Sequence, residues 1–139
     1  MFFNCKNLFE VPELPAETLQ DYCYYDMFSG CIKLTKTGDI SWTNTANRCC
    51  AFMFFGCTGL TDVPDTIFSN NVNLTSKCYM GMFENCTNIS TVTISKKILP
   101  DSADGCFERL FVNCSKLSKI VYYCDKLGED TNTGINHTY

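Results

Sequence analysis

A nine-residue segment that begins and ends with cysteine recurs four times along this chain. The copies read CYYDMFSGC, CCAFMFFGC, CYMGMFENC and CFERLFVNC, and we call them box 1 (Cys23–Cys31), box 2 (Cys49–Cys57), box 3 (Cys78–Cys86) and box 4 (Cys106–Cys114). The chain also starts with the second half of such a segment, MFFNC, which ends at Cys5. Successive closing cysteines are separated by 26, 26, 29 and 28 residues. A period of this length indicates a repeat architecture.

Three further columns accompany the closing cysteine of each box. The residue before it is always Gly or Asn, the types that tolerate a positive φ and end many helices. The third residue after it is Leu or Ile, and the sixth is Val, Ile or Thr, within β-rich segments such as LFEVP, LTDVP and LSKIVYY. Each unit is therefore predicted to contain a short helix, a stop, a short strand and a polar loop. Such strands are expected to stack in parallel into a solenoid.

The cysteines themselves allow two interpretations, buried thiols or disulfides. Eleven of them approach the content of disulfide-stapled secreted chains, but the number is odd and the chain is rich in core-forming residues. In a helical box the two cysteines would lie ~12 Å apart, beyond disulfide reach. Equivalent cysteines of adjacent units would lie ~4.8 Å apart, where a bridge is possible in an oxidising compartment. We expect reduced, buried thiols.

The predicted core of the repeat consists of the box cysteines and the apolar residue four positions after each opening cysteine. These residues are Cys5, Cys23, Cys31, Cys49, Cys57, Cys78, Cys86, Cys106, Cys114, Met27, Met53, Met82 and Leu110.

Several classes of function lack the residues that they require. The single histidine, His137, lies in a polar segment, so a cysteine nucleophile has no obvious base, although an enzyme that uses an exposed thiol of lowered pKa stays an alternative. Cysteines at eight-residue spacing do not match a zinc site, and no phosphate-binding loop is present, so we expect no metal and no cofactor. A formal net charge of −4 argues against nucleic acid. We find no signal peptide and no segment that predicts membrane insertion.

The segment PELPAETLQDYCYYDMFSGC, followed by MFFGCTGLTDVP, resembles the BspA-type leucine-rich repeats of gut and oral bacteria and of some of their phages. The resemblance covers the chain to about Cys124. It implies an α/β repeat solenoid of the leucine-rich-repeat type, with a parallel sheet of about five short strands on one face and short helices on the other. Residues 1–124 would form the solenoid, as a half repeat over 1–13 followed by repeats of 26–29 residues. Residues 125–139 would be a polar tail or the start of an incomplete unit.

The resemblance further implies a non-enzymatic binding or adhesion module of a larger surface, secreted or phage-borne protein. Its partner would be a protein or a glycan on a host or neighbouring surface. A structural spacer or assembly component that contacts only its own neighbours, with end-to-end self-association, is the alternative. Alternation along the strands places one column of side chains outward. With the sole tryptophan, this column gives the candidate binding residues Glu10, Lys36, Trp42, Asp62, Thr91 and Lys119.

Overall fold

The structure, a computed structural model, describes residues 1–40, 42–69, 73–94 and 104–122. The predicted end of the solenoid at Cys124 and the predicted tail lie outside these residues.

Regular secondary structure is sparse in the described residues. It comprises helix α1 (Thr66–Ser69), between boxes 2 and 3, and strands β1 (Thr91–Ile94) and β2 (Lys119–Tyr122). The two strands are parallel, with Thr91 opposite Lys119 and Ile94 opposite Tyr122. They follow boxes 3 and 4 at equivalent positions, so these two units lie side by side.

The predicted helices in the boxes are wrong. In and just before box 1 every fourth residue has a positive φ: Tyr22 at 59°, Asp26 at 53° and Gly30 at 75°. An α-helix requires a φ near −63° at each residue, so it cannot pass through these points. The same spacing of positive φ values recurs in boxes 2, 3 and 4. The boxes are therefore built from turns.

Backbone N–H groups of a box alternate between a local and a distant partner. The N–H of Met27 donates to the carbonyl of Tyr24 at 3.2 Å, whereas the N–H of Phe28 donates to the carbonyl of Met53 in box 2 at 2.9 Å. A positive φ at the third residue of a four-residue turn is typical of type II turns. Each box is thus a row of overlapping turns bonded to the next box, and we call the four rows together the turn ribbon.

The predicted sheet of about five strands is reduced to two in the described residues. Strands β1 and β2 have the sequences TVTI and KIVY, rich in β-branched residues. The equivalent positions of earlier units carry Val11–Pro12, Thr37–Gly38 and Val63–Pro64. Proline donates no hydrogen bond and glycine weakens a strand, so a ladder does not extend through these units.

One phenylalanine from each box, and one from the half box, form a continuous stack in the core. The rings are Phe2, Phe28, Phe54, Phe83 and Phe111, with successive centroids 5.5, 5.5, 5.6 and 5.8 Å apart and ring planes within 11° of parallel. Such offset stacking is a favoured arrangement of aromatic pairs. Because each ring contacts the ring of the next box, this phenylalanine ladder joins neighbouring units.

Most of the predicted core positions are buried, but two cysteines differ. Cys5 is half-buried, and Cys23 is exposed and does not belong to the core. The half box bonds to the second half of box 1, through the N–H groups of Phe2 and Asn4. No described residue of that half box covers the opening cysteine of box 1.

Candidate binding surface

The side chains of the turn ribbon that do not enter the core form an outer face with two chemically different halves. In boxes 1 and 2, and at the residue before box 1, this face carries aromatic residues, and we call Tyr22, Tyr25, Phe52 and Phe55 the aromatic half. In boxes 3 and 4, and at the residue before box 3, it carries charged residues, and we call Lys77, Glu84, Glu108 and Arg109 the ionic half.

The rings of the aromatic half touch one another in a chain. Tyr22 and Tyr25 have centroids 5.8 Å apart, Tyr25 and Phe52 are 5.9 Å apart, and Phe52 and Phe55 are 6.0 Å apart. Neighbouring planes are inclined by 49°, 72° and 71°. Tyr22 is 48% exposed and Tyr25 is 39% exposed, which is unusual for adjacent large aromatic residues. The rings therefore form a contiguous patch that solvent reaches.

Polar groups border these rings. The Nη1 group of Arg48 donates to the hydroxyl of Tyr22 at 3.4 Å, and the backbone N–H of Asn47 donates to Oδ1 of Asp21 at 3.0 Å. Asp26 directly follows Tyr25 in the chain and is half-buried. Burial raises the pKa of the Asp26 carboxyl. No described residue donates a hydrogen bond to that carboxyl or pairs with it.

The acidic and basic side chains of the ionic half pair with one another, so their charges are neutralised within the surface. The Nε group of Arg109 donates to Oε2 of Glu84 at 2.9 Å, and its Nη2 group contacts the other carboxylate oxygen, so the pair is bidentate. Glu84 is only 4% exposed, and its hydrogen bonds raise the pKa of the guanidinium. Lys77 and Glu108 form a second pair, with Nζ and Oε2 3.5 Å apart. Both pairs join box 3 to box 4.

A glycine marks the boundary between the halves. A Cβ atom on Gly81 of box 3 would lie 2.3 Å from Cε1 of Phe52 in box 2, and Gly81 has a φ of +59°. The ring of Phe52 thus lies directly over a bare backbone position. A larger residue at Gly81 would displace the last rings of the aromatic half.

The predicted strand column is exposed throughout. Its members are Glu10, Lys36, Asp62, Thr91 and Lys119. Thr91 and Lys119 are register partners in the sheet. The column mixes acidic, basic and neutral side chains and contains no aromatic residue of the kind that dominates interfaces.

Trp42 does not lie on a surface, so its assignment to the binding residues is corrected. It is 1% exposed, and its Nε1 group donates to the hydroxyl of Tyr79 at 3.0 Å. That hydroxyl donates in turn to the carbonyl of Ile67 at 3.1 Å. The ring of Tyr24 packs against the indole at 5.6 Å. A loop tryptophan with a satisfied N–H and aromatic neighbours belongs to the core.

The closing cysteines act as hydrogen-bond donors between units. Cys57 Sγ lies 3.0 Å from the carbonyl oxygen of Phe28, in the box before it. Equivalent contacts of 3.1 Å join Cys31, Cys86 and Cys114 to the phenylalanine carbonyl one unit earlier. Burial raises the pKa of the Cys57 thiol to about 12. These thiols are protonated, apolar-packed groups and poor nucleophiles.

The opening cysteines include one thiol with a lowered pKa. The thiol of Cys106 hydrogen-bonds to Cys78, which lowers the pKa of Cys78 and raises that of Cys106. Cys78 is fully buried. Its pKa is thus lowered by a neighbouring thiol, and no described histidine lies beside it. The exposed Cys23 has a raised pKa because of partial burial.

Within the described residues no group of three or more His, Cys, Asp or Glu side chains converges to hold a metal ion. No helix in the same part of the chain is long and apolar enough to cross a bilayer.

Comparison with known proteins gives one similar solved structure. It is a leucine-rich cell surface protein from Faecalibacterium prausnitzii A2-165, with 16% sequence identity and a TM-score of 0.42 over 83% of this chain. This chain spans 35% of the length of that protein. No protein-family model and no curated protein matches the sequence.

Sequence reasoning missed most of the outer face. The binding residues predicted from the sequence do not include Tyr22, Tyr25, Phe52 or the Glu84–Arg109 pair. A reading of columns finds only part of them: Tyr22, Phe52 and Glu84 lie nine, five and two positions before the closing cysteines of their units, and Arg109 lies five before Cys114. Tyr25 lies six positions before Cys31, outside these columns, and Ser29, two positions before Cys31, is buried. That reading requires the turn ribbon, because a helix places a different set of residues outward.

Proposed function

We propose that this chain is a non-enzymatic binding module, of the BspA-like leucine-rich-repeat type, in a larger cell-surface, secreted or virion protein. The rigid ribbon would display its outer face to a macromolecular partner. One observation carries the proposal: the aromatic half exposes two tyrosines at 48% and 39% in contact with two further rings. Tyrosine-rich patches bordered by charges are typical of interface hot spots.

The phenylalanine ladder and the inter-unit hydrogen bonds support the role of a display scaffold. Each box bonds to the next through alternate N–H groups, a thiol and a stacked ring. A scaffold held in this way presents side chains without ordering them on binding, which lowers the entropic cost of association. The closing thiols of boxes 1 to 4 are buried, and the described residues include no histidine to activate a thiol, which favours binding over catalysis.

The test compares two surfaces of the same chain on arrays of purified extracellular proteins and of glycans. The double variant Tyr22→Ala, Tyr25→Ala removes the exposed rings, and Glu10→Ala, Lys36→Ala removes the start of the strand column. We expect saturable binding of the unmodified chain to at least one array member, lost in the first variant and kept in the second. Loss only in the second variant would move the site to the strand column. No saturable binding to any member would reject the module function.

An assembly component is the second candidate, and it is favoured by a different observation. Phe3 and Phe9 of the first unit are each 58% exposed, and such side chains suit contact with another protein surface. This candidate predicts that the chain self-associates and that Phe3→Ser, Phe9→Ser makes it monomeric. Light scattering over a hundredfold range of protein concentration distinguishes the two functions.

A further inference from the structure

The carboxylate of Asp26 is the uncompensated group of the outer face. Asp26 directly follows the exposed Tyr25 in the chain, it is half-buried, and no described residue donates to its carboxylate. A carboxylate that is partly removed from water and has no partner is unfavourable, and a cation placed next to it recovers that free energy. The raised pKa of Asp26 agrees with this environment.

In the ionic half of the same ribbon, a buried carboxylate is paired with an arginine. Arg109 occupies in box 4 the column that Asp26 occupies in box 1, five residues before the closing cysteine. There the guanidinium makes a bidentate pair with Glu84 of the adjacent box. The aromatic half contains a carboxylate and ring faces but no guanidinium that pairs with Asp26. The missing component is therefore an arginine-like cation.

The surrounding charges also favour a cation. Asp21 precedes Tyr22 and Asp26 follows Tyr25 in the chain, and the basic residue beside them is Arg48, whose guanidinium donates to the Tyr22 hydroxyl. The border is thus net negative. The faces of tyrosine rings attract cations through their quadrupole, and arginine can stack on a ring while it pairs with a carboxylate.

We propose that the aromatic half is the docking surface for a partner protein that presents an arginine side chain, whose guanidinium pairs with Asp26 and lies against the ring of Tyr25. This inference rests on the binding function proposed above and names the chemistry of the partner. A neutral sugar would leave the charge of Asp26 uncompensated. In addition, rings inclined by 49° and 72° do not form one flat platform for a sugar ring.

The experiment uses the whole chain and three capped peptides, identical except that they carry Arg, Lys or Gln between glycines. Ring resonances of Tyr22 and Tyr25 are followed by NMR during titration. We expect saturable shifts with the arginine peptide, with a dissociation constant on the order of 1 mM. The lysine peptide should bind more weakly, and the glutamine peptide should give no saturable shift.

Two matched variants assign the effect to Asp26. Asp26→Asn keeps a residue type that tolerates the positive φ at this position, and it should weaken arginine binding about tenfold or more. Asp62→Asn removes an equal charge from the exposed strand column and should leave binding unchanged. Tyr25→Phe should keep the affinity, whereas Tyr25→Leu should lose it, because only the former retains a ring face.

The inference is overturned if the glutamine peptide binds as well as the arginine peptide, or if Asp62→Asn weakens binding as much as Asp26→Asn does. A partner found on the arrays that requires Tyr22 and Tyr25 but tolerates Asp26→Asn would keep the binding module and reject the arginine. If that partner is a glycan, it replaces the protein ligand proposed here.

Discussion

The outer face of boxes 1 and 2 differs from that of boxes 3 and 4. All four boxes nevertheless share the same backbone turns, the phenylalanine ladder and a buried closing cysteine. Boxes 1 and 2 expose aromatic rings, and box 1 also carries a carboxylate, Asp26, with which no described residue pairs. In boxes 3 and 4 the charged side chains pair with one another, as Glu84–Arg109 and Lys77–Glu108. The comparison shows that the boxes share core positions while their outer side chains differ. Because the stacked phenylalanine and the buried closing cysteine recur in every box, the outer side chains can differ without removing the core.

The largest effect should come from the shared core and should be equal in the two halves. Phe54→Ala in box 2 and Phe83→Ala in box 3 each remove a fully buried ring stacked on both sides. Each should lower the free energy of unfolding by about 3–5 kcal/mol. Urea unfolding followed by circular dichroism measures both. Two separate transitions, or a large difference between the variants, would show that the halves do not share one core.

A second effect should appear at alkaline pH, through the buried closing cysteines of boxes 2 and 4. Burial raises the thiol pKa of Cys57 to about 12 and that of Cys114, near Glu84, to about 11, from an ordinary value of 9.0. Because the unfolded chain ionises first, folded stability is intact below pH 9 and falls as the pH rises towards these values. The loss approaches about 1.4 kcal/mol per pH unit for each thiol.

Alkylation of the native protein, read by peptide mass, checks the order of ionisation. Cys114 should react at a lower pH than Cys57, and the exposed Cys23 should react before both. If Cys57 reacted at neutral pH at a rate similar to that of Cys23, the burial of the closing cysteines would be contradicted.

The third effect concerns the two glycines with positive φ at the boundary of the halves. Gly56→Ala meets no atom within 4 Å, so it costs only the backbone strain, about 1 kcal/mol. Gly81→Ala adds a contact of 2.3 Å with the ring of Phe52 and should cost more. It should also shift the ring resonances of Tyr25, which Gly56→Ala leaves unchanged. If the two variants lose equal stability and the ring resonances of Tyr25 do not shift in Gly81→Ala, then Phe52 does not belong to the aromatic half.

The smallest effect belongs to the exposed ion pair of the ionic half. Lys77→Met should change the free energy of unfolding by less than about 0.5 kcal/mol, since partly exposed pairs contribute little. Arg109→Met should cost more, because it leaves Glu84 buried without its partner. Thermal unfolding in low and high salt gives both values. A larger loss for Lys77→Met would mean that the two pairs act as one network.

The repeat itself could be read from the sequence, because its columns are spaced at a fixed period and the core side chains follow that period. The burial of Met53 and Cys57 and the exposure of Glu10 and Lys36 follow from such columns. Only part of the candidate site could be predicted from these columns. Asp26 and Arg109 share a column of the sequence, but their opposite roles depend on which residues the neighbouring box brings to them.

What the sequence by itself determined is the unit: its length, its apolar columns and its Gly or Asn before the closing cysteine. What only the tertiary structure decided is the backbone of each box, the burial of Trp42 and the exposure of Cys23. The period of four residues from Cys49 to Met53 suits a helix and the turn ribbon equally. The turn ribbon forms because alternate backbone N–H groups donate to carbonyl groups of the next unit, some 25 residues away. The residue pattern within one box does not indicate these distant partners.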